Sequence, residues 1–409
     1  MVLAGQGVLS LSNFLTVLAL GRWGGTSDLG QFALGWSVYF LAGSLADTLI
    51  FTPYTFHASQ KVSIAPDLPG TSALATGLLG LLWLVALSLL SAASLWWVPT
   101  WSGLSELAGL WPVLPLAIAA GLARELVRRH QLCQGRAEAL MGMDVLGSLI
   151  LLGLVGTLAT QHQLTATTAL AAQALAALLT VLPWLSTAHL QRLRAAWASV
   201  KPVMRDYLAY GHWLLMGGLC HVLSVQAYPW LALAHGGTQQ AGLQAACAAL
   251  MNLISPLLTG LTNHYRPRYM QSLAHEGRTA FMRLVWRSSL LFLAPALVLW
   301  LGSWAVGEHV LVLLYGPDFR AAAVALPWQA MGVVAVAVAA PLQLALLAVR
   351  APTTNLIHHG SAIVVLALGA WVWQAQLDML GLGRLQGIVG VVASGVLALL
   401  FWRHVIRGR

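Results

Sequence analysis

A chain of 409 residues that is 59% hydrophobic and only 8% charged cannot be an ordinary soluble domain, in which charged residues alone make up about 25%. Its formal net charge of +9 would suit nucleic acid, yet no basic domain with interleaved aromatics stands apart from the apolar runs, so no nucleic-acid partner is expected. The apolar mass must face lipid, and the expected fold class is an all-α polytopic membrane protein.

Crossing about 30 Å of hydrocarbon takes roughly 20 residues. Twelve runs of about that length follow one another, near 4–23, 29–53, 72–98, 108–128, 138–160, 164–188, 207–234, 239–263, 282–304, 322–349, 355–377 and 385–405. The first begins almost at Met1 and is followed, not preceded, by Arg22; with no small-residue cleavage site closing it, it reads as a span and not a signal peptide.

An ionisable residue inside a span is costly and carries a functional hypothesis by default. In the second span Asp47 lies one helical turn from Ser44 and two from Phe40. It is a candidate to carry a coupling ion, H+ or Na+; the structural alternative is that it caps a kink ahead of Pro53 and bonds to a neighbouring helix. Asp144, near the start of the fifth span, is a second ion-coupling candidate, close enough to the boundary to snorkel or to pair with Arg136.

Arg124, Arg128 and Arg129 end the fourth span, Arg266 and Arg268 end the eighth, and Arg283 and Arg287 begin the ninth. Such residues are ordinarily solvated anchors, but guanidinium donors match phosphate oxygens and can receive a pyrophosphate. Arg124 and Arg287 reach farthest into their spans; with Arg266 they are candidates for substrate contact, as is Arg22 at the opposite mouth. Asn13, His212, His221, Gln226, Gln244, Asn252, Gln329 and Gln343 read mainly as interhelical glue. Asn13 and Asn252 are added to the substrate-binding candidates as polar cavity lining.

Of the 21 Lys and Arg residues, only Arg22, Arg320 and Arg384 fall in one set of alternate gaps. The other set holds the rest, which places both termini on the cytoplasmic side. Cys133, Cys220 and Cys247 lack metal-ligand spacing and read as packing residues. Trp23, Trp96, Trp97, Trp101, Trp111, Trp184, Trp304 and Trp402 are expected at the membrane interfaces. The outer loops are too short to fold on their own, and no nucleophile elbow, His-Glu-x-x-His or phosphate-cradling glycine motif occurs. No enzyme activity, catalytic residue, metal or cofactor is expected, beyond a coupling H+ or Na+.

An internal comparison aligns Gly24-Gly25-Thr26, Gly30 and Ala33 with Gly236-Gly237-Thr238, Gly242 and Ala245. The same offset of 212 residues pairs Leu11 and Ser12 with Leu223 and Ser224, and Gly5 with Gly217. Six helices per copy would keep both copies in one orientation, as parallel repeats. The expected organisation is a six-helix bundle over 1–189, a basic linker over 190–206 and a second bundle over 207–409. In the linker, Arg192, Arg194, Lys201 and Arg205 accompany Leu190, Leu193, Trp197 and Val200 at helical spacing, as in an interfacial amphipathic helix.

Two stretches carry a family resemblance. Asn13-Phe14-Leu15, Ala19 to Gly25 and Leu29 to Ala33, closed by Leu45-Ala46-Asp47, resemble the opening of prokaryotic O-antigen and exopolysaccharide (Wzx-like) flippases of the multidrug, oligosaccharidyl-lipid and polysaccharide exporter superfamily. Leu314-Tyr315-Gly316-Pro317-Asp318-Phe319, before a small-residue helix containing Pro341, is similar to the turn ahead of the tenth helix there; Asp318 is expected to cap that helix.

The resemblance implies a V-shaped helical bundle in the bacterial inner membrane that moves an undecaprenyl-diphosphate-linked glycan by alternating access. Polysaccharide polymerase or export proteins would be its partners. The basic lead usual before the first helix is missing, which suggests a clipped or mis-started N-terminus, and the loop after the second span is poor in Arg. A drug or small-molecule antiporter on the same fold is the alternative. A major facilitator is disfavoured because 57–71 lacks that class's Gly, Asp and Arg/Lys pattern, and a membrane glycan-assembly enzyme or scaffold is a more remote one.

Overall fold

The computed structural model describes residues 2–60, 68–97, 107–184, 187–349, 351 and 353–407. Lys61, Trp101, Arg350 and Arg409 lie outside these residues, and the side chains of Trp96, Trp97, Arg192, Arg194 and His212 outside those described.

The described residues form helices and turns with no strand. Helix α1 runs Val2–Ala19, α2 Gly25–Ala46, α3 Thr52–Gln60, α4 Leu68–Trp97, α5 Leu114–Cys133, α6 Ala137–Thr160, α7 Ala166–Val181 and α8 Thr187–Met251. Then come α9 Ser255–Gln271, α10 Arg278–Tyr315, α11 Leu326–Ala348, α12 Thr353–Val372 and α13 Met379–Phe401. Among the described residues, nine continuous helical stretches are long and apolar enough to cross a membrane. Two of them, Gly5–Ala58 with 54 residues and Leu215–Glu276 with 62, are at about 1.5 Å per residue more than twice the hydrocarbon thickness.

Each double-length stretch breaks at its Gly-Gly pair. Gly25 has φ +83° and Gly237 φ +66°, a backbone region that residues with a Cβ enter only at a cost. The 212-residue register extends to burial at most of its pairs; the differences are Gly24, half-buried where Gly236 is exposed, and Thr26, half-buried where Thr238 is buried. Gly5 and Gly217 are buried, Leu11 and Leu223 exposed, Ser12 and Ser224 buried, and Gly30 and Gly242 buried. With these two breaks, and with the charged helix α5 counted as a crossing, the described residues make up a twelve-helix architecture.

Two compact units divide the chain, Met1–Val222 and Leu223–Arg409. In the first, α1 packs on α6, and α5 lies between α4 and α7. Ala117, Ala120, Ala174 and Ala177 form the α5–α7 seam, the close small-residue packing that membrane helices use where lipid offers no hydrophobic drive. In the second unit α11 packs on α10 and α13. There a Cβ on Gly387 would stand 2.8 Å from the Trp328 carbonyl oxygen, and one on Gly390 3.1 Å from Gly332 Cα. Two buried glutamines and a half-buried one, Gln386, tie this unit: Gln329 donates to Gln244 at 2.6 Å, and Gln244 to Gln386 at 3.1 Å.

The outward faces carry exposed apolar side chains such as Leu290, Val298, Leu313 and Leu399, as lipid contact requires. Trp23, Trp304 and Trp402 are exposed, whereas Trp111 is buried in the first unit and is no interfacial anchor. The turn at Gly316-Pro317 opens a 3-10 segment, Pro317–Ala325, whose N-cap is Gly316 with no side-chain cap bond. The expectation that Asp318 caps this helix is therefore corrected: the glycine occupies the cap and Asp318 sits inside the first turn.

Candidate functional site

The last turns of α5 place Arg124, Glu125, Arg128 and Arg129 in succession, and the first turns of α6 bring Asp144 alongside. Asp144 is fully buried. Arg124 Nη2 donates to its Oδ1 and Arg128 Nε to its Oδ2, both at 3.4 Å. Arg128 also donates from Nη2 to Gln6 Oε1 of α1 at 3.0 Å. The expected pairing of Asp144 with Arg136 is corrected: Arg136 is exposed at the N-cap of α6, while the packing of α5 against α6 brings the two earlier arginines to the carboxylate.

Two glycines make room for this arrangement. A Cβ on Gly5 would lie 3.0 Å from Asp144 Oδ2, and one on Gly147 2.9 Å from Arg124 Nη2. A second set of charges continues the lattice outward. Arg129 Nη2 donates to Asp47 Oδ1 at 2.8 Å and its Nε to Glu125 Oε1 at 2.7 Å. Thr52 Oγ1 donates to Asp47 Oδ2 at 3.3 Å. Asp47 opens the π-helical turn Asp47–Phe51 just before Pro53 and is bonded to Arg129 of a neighbouring helix. Three arginines and three carboxylates thus interlock, which is how charge is tolerated within a membrane.

Above Asp144 lies a cavity of about 220 Å³ within the first unit. Arg124, Glu125 and Arg128 form its charged wall, Gln6, Ser12, Asn13, Ser148 and Gln173 its neutral polar wall, and Trp36, Tyr39 and Phe40 its aromatic wall. Trp36 stacks on Tyr39 with ring centres 4.8 Å apart. Arg124 Nε is buried without a hydrogen-bond partner. The wall can donate to an anion through its guanidinium groups and exchange hydrogen bonds with hydroxyls through its amides and serines.

The sequence-derived candidates are thereby sorted. Arg124 and Asn13 share the cavity, with Asp144 directly behind Arg124; Asp47 lies one ion pair further away. Arg22 is exposed in the turn Leu20–Gly24. In the second unit Arg266 is exposed on α9, Asn252 is exposed in the turn before α9, where it accepts from Ser255, and Arg287 is exposed on α10. Tyr39, Gln173 and Ser148 were not anticipated. They carry no charge, and only the packing of α2, α6 and α7 reveals that they share a cavity. No three His, Cys, Asp or Glu side chains among the described residues converge on a metal position.

No protein-family model and no curated protein sequence matches the chain. Solved structures do. A multidrug resistance MATE family transporter of the MOP superfamily, in its inward-facing conformation, superposes with a TM-score of 0.83 at 13% identity, over 98% of this chain and 95% of that one. The lipid II flippase MurJ, inward closed, gives 0.72 at 8% identity over 97% and 86%. A MOP superfamily transporter from Pyrococcus furiosus Vc1 gives 0.70 at 15% over 99% and 94%. At such identities the likeness establishes the fold: this is a multi-pass membrane protein with the twelve-helix fold of MOP-superfamily transporters.

Proposed function

We propose that the protein is a flippase that carries an undecaprenyl-diphosphate-linked oligosaccharide across the bacterial inner membrane by alternating access, with both termini cytoplasmic. The reading rests on the first unit's cavity. Arg124, with a buried donor still to satisfy, and Arg128 suit the phosphate oxygens. Asn13, Gln6, Gln173 and the serines suit sugar hydroxyls, and the aromatic wall suits the apolar faces of a sugar ring. In this scheme Asp144 couples transport to an H+ or Na+ gradient. While ionised it holds Arg124 and Arg128; when protonated or occupied by a cation, it releases them to the cargo.

The aromatic wall of Trp36, Tyr39 and Phe40 also suits planar drug-like molecules, which keeps a multidrug antiporter as the second reading, in line with the MATE family neighbour. Mass spectrometry of lipid-linked oligosaccharides in cells lacking the protein separates the two. Accumulation of a complete diphosphate-linked repeat unit, cleared on complementation, is the expected result. An unchanged lipid-linked pool, with changed efflux of small molecules, would replace the flippase by the antiporter.

A further inference from the structure

The second unit carries a pocket of about 410 Å³ where α9 turns into α10, well within the size range of ligand sites. Its charged lining is Arg268 from the end of α9, Glu276 from the π-helical turn Ser272–Glu276, and Arg283 and Arg287 from α10. Arg283 and Arg287 stand four residues apart and so on one helix face. Among the described residues none of the three arginines has an ion-pair or hydrogen-bond partner, whereas Glu276 is engaged, accepting from Ser272 Oγ at 2.8 Å.

The corner is firmly built. Tyr269, next to Arg268, is fully buried, its hydroxyl bonds Ser288, and its ring meets Phe281 edge-on at 5.7 Å. Gly277, with φ +82°, turns the chain into α10. Solvated anchor arginines need no such arrangement. Here three free guanidinium groups from two helices face one pocket across a rigid turn.

We propose that this pocket is a second anion site, which takes a lipid's phosphate or diphosphate headgroup at the membrane boundary. Guanidinium forks match such oxygens bidentately, and three of them outweigh the single carboxylate. The site is separate from the first unit's cavity, and its existence does not depend on the cargo being a glycan. The headgroup can come from a polyprenyl diphosphate or from a bilayer phospholipid.

The test uses the full-length protein in phosphatidylcholine nanodiscs, with binding of farnesyl diphosphate, farnesol and phosphatidylglycerol measured for the wild type and for R283Q/R287Q. The wild type should bind the diphosphate, and in the double variant one class of diphosphate site should bind at least about tenfold more weakly, as expected for lost hydrogen bonds to a charged group, while any binding in the first unit's cavity is unchanged. R283K/R287K should recover part of the loss, E276Q should tighten binding, and R403Q, outside the pocket, should change nothing. Displacement by phosphatidylglycerol would support the site and assign it to bilayer lipid; selective retention of the diphosphate would support it and assign it to the polyprenyl carrier. Equal binding of farnesol, or diphosphate binding unchanged in both the Gln and Lys double variants, would overturn it. An unchanged lipid-linked pool in cells would remove the flippase reading while leaving this result intact.

Discussion

Asp144 is held from two sides by guanidinium groups that also line a cavity, so a change at this one carboxylate alters what the cavity presents. Asp144→Asn removes the charge while keeping the shape. It should leave Arg124 and Arg128 free for anions, raising affinity for a diphosphate lipid while transport loses its dependence on an imposed proton or sodium gradient. Flux into proteoliposomes under each gradient measures this, and gradient-dependent flux in the variant would remove Asp144 from coupling. Gly147→Val acts on the same contact from the other side. Its Cβ would stand 2.9 Å from Arg124 Nη2, and the displaced arginine should reduce cargo binding by about tenfold or more. Gly153→Ala on the same helix, with nothing within 4 Å of the added atom, should bind as the wild type does. The pairing of Asp144 was legible in a way that linear distance hid. About the turn at Gly135, Arg128 lies seven residues before and Asp144 nine after, so an antiparallel hairpin sets them side by side, whereas Arg136 is near in sequence but already in the turn.

Between helices the controlling quantity is how closely backbones approach. On α13, Gly387→Ala drives a Cβ against the Trp328 carbonyl oxygen, which belongs to the backbone and cannot rotate away. Overpacking of this kind costs about 1–3 kcal/mol, and thermal unfolding in detergent should show a lower midpoint. Gly395→Ala on the same helix meets nothing within 4 Å and should be neutral or gain up to about 1 kcal/mol from helix propensity. The existence of the helices was readable from apolar run length alone. Their continuity was not: Asp47 to Phe51, read as span, is a π-helical turn, and α10 is one helix of 38 residues where the expected ninth span ended at 304. Both differences arise because neighbouring packing, not hydropathy, decides where a helix bends or stops. Apart from Asn13, the cavity's neutral lining was likewise invisible, since serines and glutamines on three helices carry no spacing that marks them as one wall.

For the molecule as a whole, the repeat in the sequence has a conformational counterpart. Gly25 and Gly237 hold positive φ with ψ near 180° at matched positions, and replacing either with Ala should cost about 1–3 kcal/mol, with losses of similar size at the two sites. Unequal losses, seen as midpoints that differ widely between the two variants, would mean that the equivalence stops at the backbone. The register was visible in the sequence because glycines at special backbone angles have few substitutes. The partition of buried and exposed partners within it needed coordinates.

The interlocked charges of α5 also bear on how the chain enters the bilayer. Arg124, Glu125, Arg128 and Arg129 lie on one helix of 20 residues, and a charged residue at a span's centre opposes insertion by about 2.5–3.5 kcal/mol on the biological scale. The acid that neutralises two of these arginines is not synthesised until α6 begins. During translation α5 must therefore wait, beside the insertion machinery or in the interface, for the helix that follows it. Chains truncated after 136 should leave α5 open to aqueous labelling reagents, and chains extended through 160 should close it.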